Sequence, residues 1–218
     1  MTTNAKLLTE LVGTFLFLTV ISLSANAGAL APVAIGGALM VMVFMGGHVS
    51  GAHYNPAVSL AAFLRRQIDV AELGSYWAAQ LVGGSLAFVF GYLVSGHAAG
   101  IHPGEGVYVI SALAVEVVFT AALALVVLNV AATRATAGNS FYGLAIGFTI
   151  LVAAFVGGPI SGGAFNPAVG LGATLAAVLF NSGSWSDLWL YIVGPLAGAA
   201  IGTGIHYLQV GSQASPRD

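Results

Sequence analysis

The chain has 218 residues, 58% of them hydrophobic and only 6% charged, against roughly 25% charged in soluble domains. So little charge cannot cover a water-exposed surface, and the chain reads as an all-α integral membrane protein with no room for a sizeable soluble domain. A net charge of −2 offers nothing to nucleic acid, and the lack of Cys excludes disulfides, a thiolate metal site and a thiol nucleophile; no metal or cofactor is expected.

Six apolar stretches approach the ~20 residues that cross a bilayer: 7–23, 30–47, 73–94, 108–128, 142–156 with its flanks, and 188–208. The first imitates a secretory leader, with Lys6 before the apolar run and Ala25-Asn26-Ala27 after it. Glu10 interrupts the run, and cleavage would destroy the repeat described below, so it is read as a retained helix. Two shorter apolar segments, Pro56–Leu64 and Pro167–Phe180, are predicted as helices too. At 1.5 Å per residue they cover only about half of a ~30 Å hydrocarbon core. They are therefore predicted to be re-entrant half-helices, preceded by unwound segments at 47–54 and 157–165. Irregular backbone at membrane depth is tolerated only inside protein or along a wet cavity.

Each half-helix opens on the same pattern. Ser50-Gly51-Ala52-His53-Tyr54-Asn55-Pro56-Ala57-Val58 returns 111 residues later as Ser161-Gly162-Gly163-Ala164-Phe165-Asn166-Pro167-Ala168-Val169. Asn is a strong N-cap, Pro suits the first helical position because it lacks an N–H, and Ala propagates the helix. Glu10 and Glu116 likewise open the two halves, and the 79–84 run echoes 193–199, with Gln80 opposite Pro195 and Gly83 opposite Gly198. Such self-similarity marks an internal repeat, here 5–96 and 107–210. Three spans per half invert the second copy, which places the functional site near the midplane where the broken segments meet.

With six spans, Lys6, Arg65, Arg66, Arg134 and Arg217 all fall on one side. Positive-inside then puts both termini in the cytoplasm, with the cell membrane as the expected location. The turn 26–31, the loop 97–107 and the second re-entrant segment lie outside. Gly47-x₃-Gly51, Gly143-x₃-Gly147 and Gly198-x₃-Gly202 are read as close internal helix crossings.

Glu10 and Glu116 are ionisable groups inside membrane helices with no Lys or Arg placed to pair with them, which marks function or essential structure. Each is expected to accept from the free N–H groups of one re-entrant loop. The rival role, proton relay in a coupled transporter of a small neutral solute, stays open here. Two half-helices starting at the midplane aim two positive dipole ends at one point, and the Asn55 and Asn166 amides add donors there.

Paired Asn-Pro-Ala boxes on half-helices, Glu in the first and fourth spans, and Gly-His-Val-Ser-Gly-Ala-His before the first box resemble the aquaporin/aquaglyceroporin (major intrinsic protein) family over about residues 7–208. The run Gly157–Gly163 looks most like the plant tonoplast branch. The resemblance implies a passive pore for water and small neutral solutes in each subunit of a membrane-embedded homotetramer, and no enzyme activity. It implies Asn55, Pro56, Ala57, Asn166, Pro167 and Ala168 at the midplane. It also implies an outer selectivity filter at Ile35, Ala154, Gly163 and Val169. Most members carry Arg where this chain has Val169, and residues 135–216 contain no Lys or Arg at all. The expected filter is wide, apolar and uncharged.

The His residues complete the list. His48 and His53 are expected to bond locally in the first re-entrant loop, and His206 to snorkel at the inner interface. For His97 and His102 two readings stand: solvated loop residues, or a ring folded into the mouth as a titratable substitute for the missing Arg.

Overall fold

The computed structural model describes residues 1–211, all helical or irregular among the described residues; Arg217 lies outside them. Eight α-helices follow in order: α1 Thr3–Leu23, α2 Ala31–Ser50, α3 Pro56–Leu64, α4 Val70–Ser95, α5 Val109–Ala131, α6 Tyr142–Ser161, α7 Pro167–Phe180 and α8 Leu188–Val210. Six are long and apolar enough to span a membrane. The two short ones are α3 and α7, of 9 and 14 residues.

Local chemistry sets the helix ends. Thr2 and Asp69 cap α1 and α4 with side-chain oxygens on Ala5 N and Glu72 N. The unwound segments are shorter than predicted, because α2 stays helical to Ser50 and α6 to Ser161, past Pro159. Each helix ends on a glycine in the left-handed region, Gly51 and Gly162, both at φ 92°. His48 therefore sits in the last turn of α2, not in the loop.

The halves pack alike. α1 lies on α4 and α5 on α8, and α2 and α6 form the seam between the halves. Gly83 and Gly198 hold equivalent places: a Cβ at Gly83 would stand 2.6 Å from the Leu11 carbonyl oxygen, and one at Gly198 would run into that of Val117. These glycines serve internal packing, as expected, and α1 is a full member of the bundle.

The described basic residues, Lys6, Arg65, Arg66 and Arg134, gather at one end, called inner below. Lys6 Nζ lies 2.7 Å from Glu72 Oε1. Arg65 is buried, donates to the Gly211 carbonyl at 3.1 Å and stacks 3.7 Å from the Tyr207 ring centre. His206 does not snorkel. It is fully buried, with Nε2 2.9 Å from Thr133 Oγ1, because α8 turns that face onto α5 rather than toward lipid.

Candidate pore

The two Asn-Pro-Ala boxes meet head to head. Asn55 Oδ1 accepts from Ala57 N at 2.8 Å and Asn166 Oδ1 from Ala168 N at 2.9 Å. Each amide then reaches across: Asn55 Nδ2 donates to the Phe165 carbonyl at 2.8 Å and Asn166 Nδ2 to the Tyr54 carbonyl at 2.9 Å. The sequence reading gave both N–H groups of each amide to the lumen. One of each is spent on this crossed link, and both Asn residues still line the cavity between the boxes.

The loops behind the boxes are strained. Ala52, Tyr54 and Phe165 hold φ values of 53°, 49° and 50°, a region that costs L-residues on the order of 1–2 kcal/mol each. The two carboxylates hold them there. Glu10 Oε1 accepts from Ser50 Oγ (2.7 Å) and His53 N (2.9 Å), and Oε2 from Tyr54 N and Gln80 Nε2 (both 2.8 Å). Glu116 accepts from Ser161 Oγ (2.7 Å), Ala164 N (3.0 Å) and Phe165 N (2.7 Å). The fourth donor has no counterpart in the second half, where Pro195 stands opposite Gln80.

Two further braces escaped the sequence reading. Tyr76 Oη donates to the Ser50 carbonyl and Tyr191 Oη to the Ser161 carbonyl, each at 2.7 Å. The signal was available, since Tyr76 and Tyr191 share the 115-residue offset of Gln80 and Pro195. Tyr191→Phe strands a buried carbonyl and is expected to cost about 1–3 kcal/mol, read as a lower midpoint of thermal unfolding in detergent.

Above and below the boxes the lumen opens. The outer cavity measures about 230 Å³ and the inner about 560 Å³, joined by a middle section of about 40 Å³. Ile21, Ile35, Ala154 and Gly163 line both the outer and the middle parts, and Gly51, His53, Val127 and Ile146 both the middle and the inner, so the three adjoin in a row.

The sequence signature of the major intrinsic protein family matches residues 1–207. The chain belongs to the major intrinsic protein family. Among relatives, aquaporin NIP1-1 of Oryza sativa subsp. japonica is 37% identical over 210 residues, covering 90% of this chain and 71% of the relative. Probable aquaporin TIP1-1 from the same source is 38% identical over 182 residues, covering 81% and 69%. Relatives of both the NIP and the TIP type are thus matched. The solved aquaglyceroporin from Plasmodium falciparum superposes with a TM-score of 0.84 at 22% identity, covering 96% of this chain and 97% of that one. This major intrinsic protein is thus an integral, multi-pass membrane protein of aquaporin-like fold.

All four expected filter positions of this major intrinsic protein, Ile35, Ala154, Gly163 and Val169, come together on the outer cavity. Among the described residues, no charged side chain lines that cavity. The mouth reading of His97 and His102 is corrected. Both rings are exposed and bond to backbone beside them, His97 Nδ1 to the Ser95 carbonyl and His102 Nδ1 to that of Pro103, each at 2.9 Å. Ala99, Gly100 and Ile101 from the same loop line the cavity instead, because this small, apolar stretch packs inward and leaves the imidazoles in solvent. His48 and His53 face the inner cavity, and His53 Nδ1 lies 3.1 Å from Ser59 Oγ.

Proposed function

We propose that this chain is a passive channel for water and small uncharged solutes of the glycerol, urea, ammonia and hydrogen peroxide class. The observation that carries the reading is a row of adjoining cavities whose outer and middle parts are lined, among the described residues, by no Asp, Glu, Lys or Arg, with the Asn55–Asn166 pair at its centre. Asn55 and Asn166 orient the permeant, Pro56, Ala57, Pro167 and Ala168 start the half-helices, and Ile35, Ala154, Gly163 and Val169 form the outer ring. Glu10 and Glu116 brace the loops. Their oxygens are taken up by loop and side-chain donors, which argues against a carrier role in a proton-coupled transporter. The halves 5–96 and 107–210 act as an inverted repeat, the subunits assemble as a homotetramer in lipid with both termini in the cytoplasm and the cell membrane as host, and no bond-making chemistry is involved.

Stopped-flow light scattering on proteoliposomes tests this. A sucrose gradient should shrink them faster than empty liposomes, and glycerol or urea gradients should give faster re-swelling, with no dependence on an imposed proton gradient. Uptake that runs uphill with protons would replace the channel reading by the transporter.

A further inference from the structure

Free space along the lumen is least in the middle section, not at the outer ring. The outer cavity is about 230 Å³, yet the middle section is about 40 Å³, and one water occupies roughly 10–15 Å³ of such space. Val169, the position where most of the family carries Arg, lies on the outer cavity and not on the middle section. What encloses the middle section on its apolar side is Phe17 of α1, Leu39 of α2, Leu123 of α5 and Ile150 of α6. These four line the middle section and neither cavity. They are 4%, 4%, 2% and 6% exposed, so little free space remains against them.

The four are two pairs related by the repeat. Phe17 and Leu123 stand 106 residues apart, as Glu10 and Glu116 do; Leu39 and Ile150 stand 111 apart, as Asn55 and Asn166 do. Equivalent residues of an inverted repeat meet only at the level of its axis, which is the level of the Asn pair. A permeant there finds amide donors on one side and hydrocarbon on the other. Polar groups all round its rim would be left unpaired, at a cost that grows with each one. Phe17 is the bulkiest of the four, and its repeat partner is only Leu.

Resting on the channel reading above, we infer that the selectivity of this pore is set at the Phe17–Leu39–Leu123–Ile150 ring, chiefly by Phe17, and not at the outer four positions. Small neutral molecules, water and ammonia above all and the flat urea next, pass this ring more readily than the bulkier glycerol, and longer polyols are excluded.

The test compares wild type, Phe17→Leu, Phe17→Ala and Val169→Ala in proteoliposomes under sucrose, urea, glycerol and erythritol gradients, with equal reconstitution checked by gel. Phe17→Leu should raise the glycerol-to-water flux ratio by about tenfold, the change a modest fall in one barrier brings. Phe17→Ala should admit erythritol, and Val169→Ala should move the ratio less than Phe17→Leu does. If Phe17→Ala does not fold, Phe17→Leu, which only copies the partner residue, carries the test. A ratio that responds to Val169→Ala and ignores Phe17→Leu would overturn the inference while leaving the channel reading intact. Wild-type vesicles no faster than empty ones in every gradient would overturn the channel reading itself.

Discussion

Replacing Glu116 by Leu is expected to abolish flux and to cost most of the protein's stability. The carboxylate accepts from Ala164 N and Phe165 N and also takes the Ser161 hydroxyl. The Ser161 hydroxyl keeps the Gly157 carbonyl at 3.4 Å, but leaving the two buried backbone donors unpaired costs about 1–3 kcal/mol each, and whole domains are stable by only about 5–15 kcal/mol. The left-handed Phe165, whose carbonyl receives Asn55, would relax, and the crossed link between the boxes would go with it. A finer comparison uses Gln at both braces. At Glu10 the neighbouring Gln80 can turn its amide, because its Oε1 has no partner, and accept from the introduced amide. Pro195 offers nothing equivalent at Glu116. Glu116→Gln should therefore lower the unfolding midpoint in detergent more than Glu10→Gln, and a Gln80→Leu background should erase the difference. Equal midpoints for the two Gln variants would show that Gln80 gives no relief.

The sequence was most legible where one residue type satisfies one local demand. Asn-Pro-Ala fixed both half-helix starts to the residue, because a cap, a missing N–H and a helix former each act within one turn. The Glu braces could be read because a carboxylate in a membrane helix needs donors, and only the unwound loops have them to spare. The misreadings have a common cause. Where α2 and α6 break depends on which residue first turns left-handed, so Gly51 and Gly162 decide it rather than hydropathy. His206 was assigned to the interface from its distance along the helix, while its burial depends on the face that α8 presents to Thr133. The ring at Phe17 was hidden because Phe, Leu and Ile in membrane helices look alike whether they face lipid, a neighbouring helix or a lumen; only the repeat offsets distinguish them.

Converting both box asparagines to Asp should make the pore conduct cations. Each half-helix start is equivalent to roughly half a positive charge, so the two that meet here amount to about +1, and the Asn amides leave that unopposed. One Asp about cancels it; two leave about −1 facing the lumen. Either carboxylate can still accept its own Ala57 or Ala168 N–H as Asn does. Neither can donate to the Phe165 or Tyr54 carbonyl, so each substitution also costs about 1–3 kcal/mol and the measurements belong well below the lowered unfolding midpoint. In vesicles loaded with a pH dye and given a potassium diffusion potential, wild type should acidify no faster than empty liposomes, Asn166→Asp slightly faster, and the double variant by about tenfold or more, one decade for each ~1.4 kcal/mol removed from the barrier. Water flux in the same vesicles shows that the pore remains formed. Because Val169 supplies no charge at the outer cavity, no second electrostatic barrier stands on the outer side of the Asn pair. A double variant that conducts water and stays proton-tight would therefore shift cation exclusion onto the apolar ring around Phe17, where the stripping of hydration rather than repulsion by dipoles would have to hold ions out.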